Sequence, residues 1–142
     1  MNELLNTAVS AAKTAGKDIM TFYKKSYKVG SKGFENPVTQ ADYAANSAIE
    51  KVLTIKYPDF GWLSEETVDS TERLTRDRVW IIDPLDGTKE FIQGIPTFVV
   101  SISLVEKNQP ILGVLYNPVT TELFHAVKDC GAYYNGVKTT CS

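Results

Sequence analysis

The sequence predicts an α+β fold, with two N-terminal helices packed on a mostly antiparallel sheet. Three observations predict it: an apolar stripe at helical spacing near the N-terminus, a second stripe that ends at Pro58, and period-two alternation broken by turn signals from Trp80 onward.

The first stripe consists of Leu4, Ala8, Ala11, Ala12, Ala15, Ile19, Phe22 and Tyr23, which share one helical face. That face reads as core, and Gly30 with Gly33 marks the loop after it. The second helix is expected to start near Thr39 or Gln40, because Ala41, Ala44, Ala45, Ala48, Val52 and Ile55 repeat at similar spacing until Pro58 stops them. Thr39 with Asp42 has the pattern of a capping box. Phe60 to Ser64 reads as a strand, and Val79 to Ile82 as a buried one. The polar stretch from Thr67 to Arg78 reads as a mobile surface loop.

A meander follows. Phe98, Val100, Ile102 and Leu104 alternate with Val99, Ser101 and Ser103; Asn108-Gln109-Pro110 turns the chain; Ile111 to Tyr116 returns; Asn117-Pro118 turns it again. Leu123 to Val127 and Ala132 to Tyr134 add two strands, and Asn135-Gly136 is a hairpin signal.

Composition bounds what such a fold can do. The chain has 142 residues, 43% of them hydrophobic, enough for a single domain over residues 1–142 with its own core. A net charge of −2 gives no basic face for a nucleic acid polymer, so acids must be judged by position. No apolar run approaches a bilayer span, and Glu3 stands where a leader peptide carries basic residues, so the expectation is a cytoplasmic protein without a membrane partner. Cys130 and Cys141 are too few and too far apart for a redox pair or a zinc cage, and read as reduced thiols. His125, in the strand-like Glu122 to Val127, reads as a hydrogen-bonded or exposed ring and not as a general base.

The chemistry concentrates where Trp80-Ile81-Ile82 runs into Asp83-Pro84-Leu85-Asp86-Gly87-Thr88. Pro84 and Gly87 are expected to turn the chain, which leaves Asp83 and Asp86 at a strand's end. Two readings stand. Hard carboxylate oxygens at such a spot suit Mg²⁺, which takes a few carboxylates plus water and phosphate oxygens. Alternatively Asp86-Gly87 makes an Asx-type bend and Thr88 caps a short helix. Asp42 and the pair Glu65-Glu66 also lie near element boundaries.

Thr39-x-Ala41-Asp42, Ser64-Glu65-Glu66 and Asp83-Pro84-Leu85-Asp86-Gly87-Thr88, with the later Gly131 to Gly136 stretch, resemble in order and spacing the inositol monophosphatase superfamily of Mg²⁺-dependent, Li⁺-sensitive phosphomonoesterases. The resemblance implies Glu65, Asp83, Asp86 and the Leu85 carbonyl as metal ligands, and Asp42 with Thr88 as the pair that orients the attacking water. Glu65 thereby joins the catalytic group, and Gly87 with Thr88 would hold phosphate through free N–H groups. Lys32 resembles a lysine near the site in relatives, or is a solvated loop lysine; Glu66 ligates, braces Glu65 or faces water.

Lys89-Glu90-Phe91 after the Asp-Gly-Thr, and Leu63-Ser64 before the paired acids, look like the 3′(2′),5′-bisphosphate nucleotidase branch. The implied partner is a small phosphorylated metabolite, adenosine 3′,5′-bisphosphate ahead of inositol phosphates, with Lys89 toward a second phosphate. Relatives continue beyond the equivalent of Asn135-Gly136 into a second α/β domain that carries a further Asp ligand in a Trp-Asp motif. That motif does not occur in this sequence, so it resembles the N-terminal half. The corresponding alternative is a noncatalytic metal- or phosphate-binding domain with exposed apolar surface that associates as a homodimer.

Overall fold

The computed structural model describes residues 2–23, 37–64 and 76–139. Two helices, α1 (Asn2–Met20) and α2 (Pro37–Lys56), pack against each other and against one face of a seven-stranded sheet. The strands are β1 (Gly61–Ser64), β2 (Arg78–Asp86), β3 (Val99–Glu106), β4 (Gln109–Asn117), β5 (Glu122–Val127), β6 (Gly131–Tyr134) and β7 (Val137–Thr139), with a short helix α3 (Thr88–Gln93) between β2 and β3. They lie side by side in chain order. Only β1 with β2 is parallel; the other pairs are antiparallel. The expected α+β class is therefore the observed one.

Alternation decides what each strand contributes. Trp80, Ile82, Val100, Ile102, Leu104, Leu112 and Val114 are buried beneath the helices, against Ala8, Ala11, Ala15 and Ile19 of α1 and Ala45, Ile49 and Leu53 of α2. The alanines keep the helices close to the sheet, and Gly16 brings α1 closer still. A Cβ there would lie 2.8 Å from the Tyr116 ring and 3.0 Å from Pro118. Tyr57, Phe60 and Trp80 cluster, with ring centroids 5.0 to 6.2 Å apart, Tyr57 stacked on Phe60 and both tilted against Trp80. The Trp80 indole N–H, fully buried there, has no acceptor among the described residues.

The opposite sheet face is different. Ile81, Leu115 and Phe124 are 39%, 42% and 45% exposed on it, levels that residues under a helix do not reach, and a Cβ added at Gly113 would meet nothing within 4 Å.

Several boundaries differ from the sequence reading, for local reasons. Helix α2 begins at Pro37, a residue suited to the first helical turn because its missing N–H would have no partner there. Thr39 therefore lies inside the helix and not at its cap. The β3–β4 turn is Lys107-Asn108, both at positive φ (49° and 66°), so Gln109 and Pro110 already belong to β4. Asn135-Gly136 (φ 50° and 85°) makes the tight β6–β7 turn the dipeptide signals, and it adds β7, which the sequence reading did not mark. His125 is neither exposed nor hydrogen-bonded through Nδ1. Its ring is half-buried and stacked on Tyr133 (5.1 Å, 13°), with Nδ1 unpartnered among the described residues. Cys130 is an exposed free thiol, and Cys141 lies outside the described residues. Most of the expected Thr67 to Arg78 loop also lies outside them; Arg78 itself opens β2.

Candidate metal and phosphate site

Strand β2 delivers the acids. Its ladder with β3 is regular as far as Asp83 opposite Ser101, then shifts, and resumes at Asp86 opposite Val99. The apolar run marks this strand as Val79 to Ile82; it continues to Asp86, with Pro84 inside the irregularity, where a missing N–H breaks no ladder bond. The bulge has a chemical consequence. In a regular strand residues three apart point to opposite faces, so Asp83 and Asp86 would diverge. Here the phase slips between them: Leu85 is buried at 2% exposure, while Asp83 is half-buried and Asp86 exposed. The exposure pattern thus departs from strict alternation, with Leu85 in the core and Asp86 at the surface.

Gly87 then turns the chain at φ 105° and ψ 45°, and its carbonyl accepts the Phe91 N–H at 3.0 Å. A Cβ at this position would lie 3.1 Å from both Cα and Cβ of Phe98, so only glycine fits without displacement. Helix α3 starts at once with exposed Thr88 and Lys89. Its first N–H groups lack intrahelical partners, as at every helix start. Phe91 anchors it from below, packed with Tyr23 and Phe98 (centroids 5.8 and 5.3 Å), and the Tyr23 hydroxyl donates to the Gly94 carbonyl at 2.6 Å. Buried Asn117 braces the following loop: its Nδ2 donates to the Pro96 carbonyl at 2.8 Å, and its Oδ1 accepts from the Val119 N–H at 2.9 Å. The turn that carries the site is held from both ends.

Helix α2 packs against α3, so the helix that carries half-buried Asp42 meets the turn that carries Thr88. One turn along α2, Asn46 accepts a hydrogen bond at 2.5 Å from the Ser64 hydroxyl at the end of β1. A recess of about 310 Å³ opens between β1, β2 and β3, bounded by Leu63, Ser64, Ile81, Ile82, Asp83, Ser101 and Ser103. A larger recess of about 680 Å³ runs along β4 to β6, but among the described residues Asp129 is its only carboxylate, and Asp83 and Asp86 do not border it.

Asp83, Leu85, Asp86, Gly87, Thr88 and Lys89 follow one another from the end of β2 into α3, which packs against α2, the helix that carries Asp42. Glu65, Glu66 and Lys32 lie outside the described residues. Among the described residues no group of three or more His, Cys, Asp or Glu side chains is placed to hold a metal ion. The donors that are described, two carboxylates and the Leu85 carbonyl, are hard oxygens, and an exposed Asp86 leaves room for a hydrated shell; that chemistry fits Mg²⁺ and not a thiolate- or imidazole-seeking metal. Sequence motifs do not mark Asn46, Ser101 or Ser103. Asn46 carried a signal, since it interrupts an otherwise apolar helical face four residues after Asp42.

The inositol monophosphatase family model matches residues 1–142, and the chain belongs to this family. Among its relatives is the Nus factor SuhB of Haemophilus influenzae, 42% identical over 140 residues, which are 97% of this chain and 52% of that protein. Inositol monophosphatase 2 of Solanum lycopersicum is 39% identical, over 96% of this chain and 52% of that protein. The 3′(2′),5′-bisphosphate nucleotidase CysQ of Aggregatibacter actinomycetemcomitans is also 39% identical, over 92% and 49%. The crystal structure of SuhB from Bartonella henselae superposes with a TM-score of 0.85 at 36% identity, across 99% of this chain and 54% of that one. The chain thus spans about half the length of the relatives it matches. Equal identity to a bisphosphate nucleotidase and an inositol monophosphatase means that overall similarity does not select a substrate.

Proposed function

We propose that this chain is the N-terminal, acid-bearing half of a Mg²⁺-dependent phosphomonoesterase, a single α+β domain that acts on the 3′-phosphate of adenosine 3′,5′-bisphosphate. The observation that supports the reading most is the register shift of β2 between Asp83 and Asp86, which leaves Leu85 buried and Asp86 exposed directly ahead of a glycine turn and a helix start. A purely structural Asx bend has no need of that slip.

Glu65, Asp83, Asp86 and the Leu85 carbonyl would hold the metal. Bound there, Mg²⁺ supplies a water of lowered pKa and neutralises charge on the phosphoryl and leaving oxygens. The chain's own groups do the rest. The Asp42 carboxylate accepts the Thr88 hydroxyl proton in a hydrogen bond, which turns the Thr88 lone pairs toward the attacking water and orients it. The N–H groups after Gly87 donate to the phosphate oxygens, and glycine's lack of a side chain lets the phosphate approach the backbone closely. Exposed Lys89 offers a point charge to a second phosphate, which adenosine 3′,5′-bisphosphate has and inositol 1-phosphate lacks. Lys89 and the Leu63-Ser64 pair favour the nucleotide over the inositol phosphate.

A side-by-side assay of phosphate release from adenosine 3′,5′-bisphosphate and inositol 1-phosphate tests the order. Faster turnover of the nucleotide, lost in Asp83→Asn, is the expected result; faster turnover of inositol 1-phosphate reverses it. A second reading draws on the exposed apolar sheet face and on the half-length match: a domain that binds metal or phosphate without turnover and associates with itself. Mg²⁺ binding with no phosphate release from either substrate would select it.

A further inference from the structure

The Asn46–Ser64 hydrogen bond is out of place in a core built for packing alone. Both residues are buried, at 7% and 4% exposure, on the helix side of the sheet. Residues around them on α2 are Ala41, Ala45, Ile49 and Leu53, all fully buried and apolar. Burial of two polar groups costs desolvation that hydrogen bonding only offsets, whereas small apolar residues would fill the same space without that cost. What a hydrogen bond adds over apolar contact is direction: alkyl surfaces slide past one another at little cost, and a bonded hydroxyl and amide do not.

The position of the bond shows what that direction would fix. Asn46 stands one helical turn after Asp42, on the same face of α2. Ser64 is the last residue of β1, opposite Ile82 in the parallel register, and Asp83 is the next residue along β2. Ser64 and Asp83 also border the same recess. Glu65 follows Ser64 in the chain. One buried bond therefore joins two elements, each within a single turn or a single residue of an acid assigned to the site.

We propose that Asn46 and Ser64 are a positioning pair: their bond sets the offset of α2 against β1 and β2, and so the relative placement of the Asp42 and Asp83 carboxylates. This rests on the reading of those acids as a metal and water-orienting set. Mg²⁺ coordination tolerates errors of only a few tenths of an ångström, so a small slip of the helix costs affinity before it costs folding.

The test uses Mn²⁺ as the probe, titrated into the 142-residue chain and followed by electron paramagnetic resonance, beside thermal unfolding of the metal-free protein. Ser64→Ala and Asn46→Leu are each expected to weaken Mn²⁺ binding about tenfold, the scale seen for groups that support metal ligands. The double variant is expected to bind Mn²⁺ more tightly than the product of the two single effects predicts, because the two residues share a bond. Ser64→Thr, which keeps the hydroxyl, is expected to bind within about twofold of the wild type. Variants that unfold at lower temperature yet bind Mn²⁺ as tightly as the wild type would reduce the pair to a structural tie and overturn the proposal. A wild type that binds no Mn²⁺ would refute the site reading itself, and the proposal with it.

Discussion

Replacement of Gly87 by alanine separates backbone geometry from mere flexibility in the turn that carries the site. At φ 105° the backbone lies in a region an L-residue enters at a cost of about 1–2 kcal/mol. The new methyl would also stand 3.1 Å from Cα and Cβ of Phe98, a residue fully buried in the Tyr23–Phe91–Phe98 cluster and unable to retreat. Overpacking of that kind costs roughly 1–3 kcal/mol. The Glu90 Oε1 contact at 3.3 Å adds little, since that carboxylate can swing away. The two larger effects give a loss of about 3 kcal/mol, a large share of the ~5–15 kcal/mol that holds a domain of this size together. Two other glycines calibrate the number. Gly136→Ala faces the same kind of strain at φ 85° with nothing within 4 Å, so it is expected to lose only about 1–2 kcal/mol. Gly113→Ala has neither positive φ nor a neighbour, and is expected to be neutral or to gain a few tenths of a kcal/mol through the unfolded chain. Urea unfolding followed by circular dichroism gives all three values. If Gly87→Ala falls together with Gly136→Ala, the close approach to Phe98 does not limit the turn, and the account of why glycine stands there fails.

Mg²⁺ at about ten times its dissociation constant is expected to stabilise the protein by roughly 1.4 kcal/mol. An unchanged unfolding temperature, or an equal rise in Asp83→Asn, would count against metal ligation. A pH effect is expected at the β5–β6 hairpin, where hydrogen bonds from Tyr134 (2.6 Å) and then Thr120 (2.7 Å) hold the Glu122 carboxyl below its ordinary value of 4.5 and, in return, Glu122 holds the Tyr134 phenol above 10.0. The depressed carboxyl lends stability that is present above its ordinary value and lost as pH falls through the folded one; Tyr134→Phe should move the Glu122 carbon-13 titration upward, and an unmoved curve would refute the assignment. The bare sheet face is expected to drive self-association that Phe124→Lys or Leu115→Lys weakens; sedimentation of the wild type as a monomer at micromolar concentration would remove that reading.

The sequence carried the fold further than the site, because the two depend on different information. Helix faces and strand alternation are periodic, and each repeat reports independently on which side is buried. Leu4 to Ile19 and Phe98 to Leu104 were therefore legible to within a residue or two. The acids at the end of β2 depend on a single break in that periodicity. Regular alternation applied to Asp83 and Asp86 sends them to opposite faces, and a strand that stops at Ile82 leaves their directions undefined. Neither reading contains the slip that places Leu85 in the core and Asp86 outside it. Gly16 was silent for a related reason. Within a helical stripe it looks like a weak alanine, and its use emerges only from Tyr116, one hundred residues away, crossing above it.

Asn46 is the instructive middle case. Its helical position was legible, and so was its polarity, but an amide on a buried face has no meaning until its partner is known. The partner lies on β1, a four-residue strand whose neighbour β2 begins only at Arg78. Local pattern thus identifies elements, and pairing between elements identifies the groups that aim them. If that division is general for this chain, substitutions that preserve periodicity but break a pairing, such as Ser64→Ala, should leave the circular dichroism spectrum unchanged while they weaken metal binding. Substitutions that break periodicity, such as Ile49→Asp, should abolish the folded spectrum itself, because an unpaired carboxylate in that fully buried position has no partner to offset its desolvation.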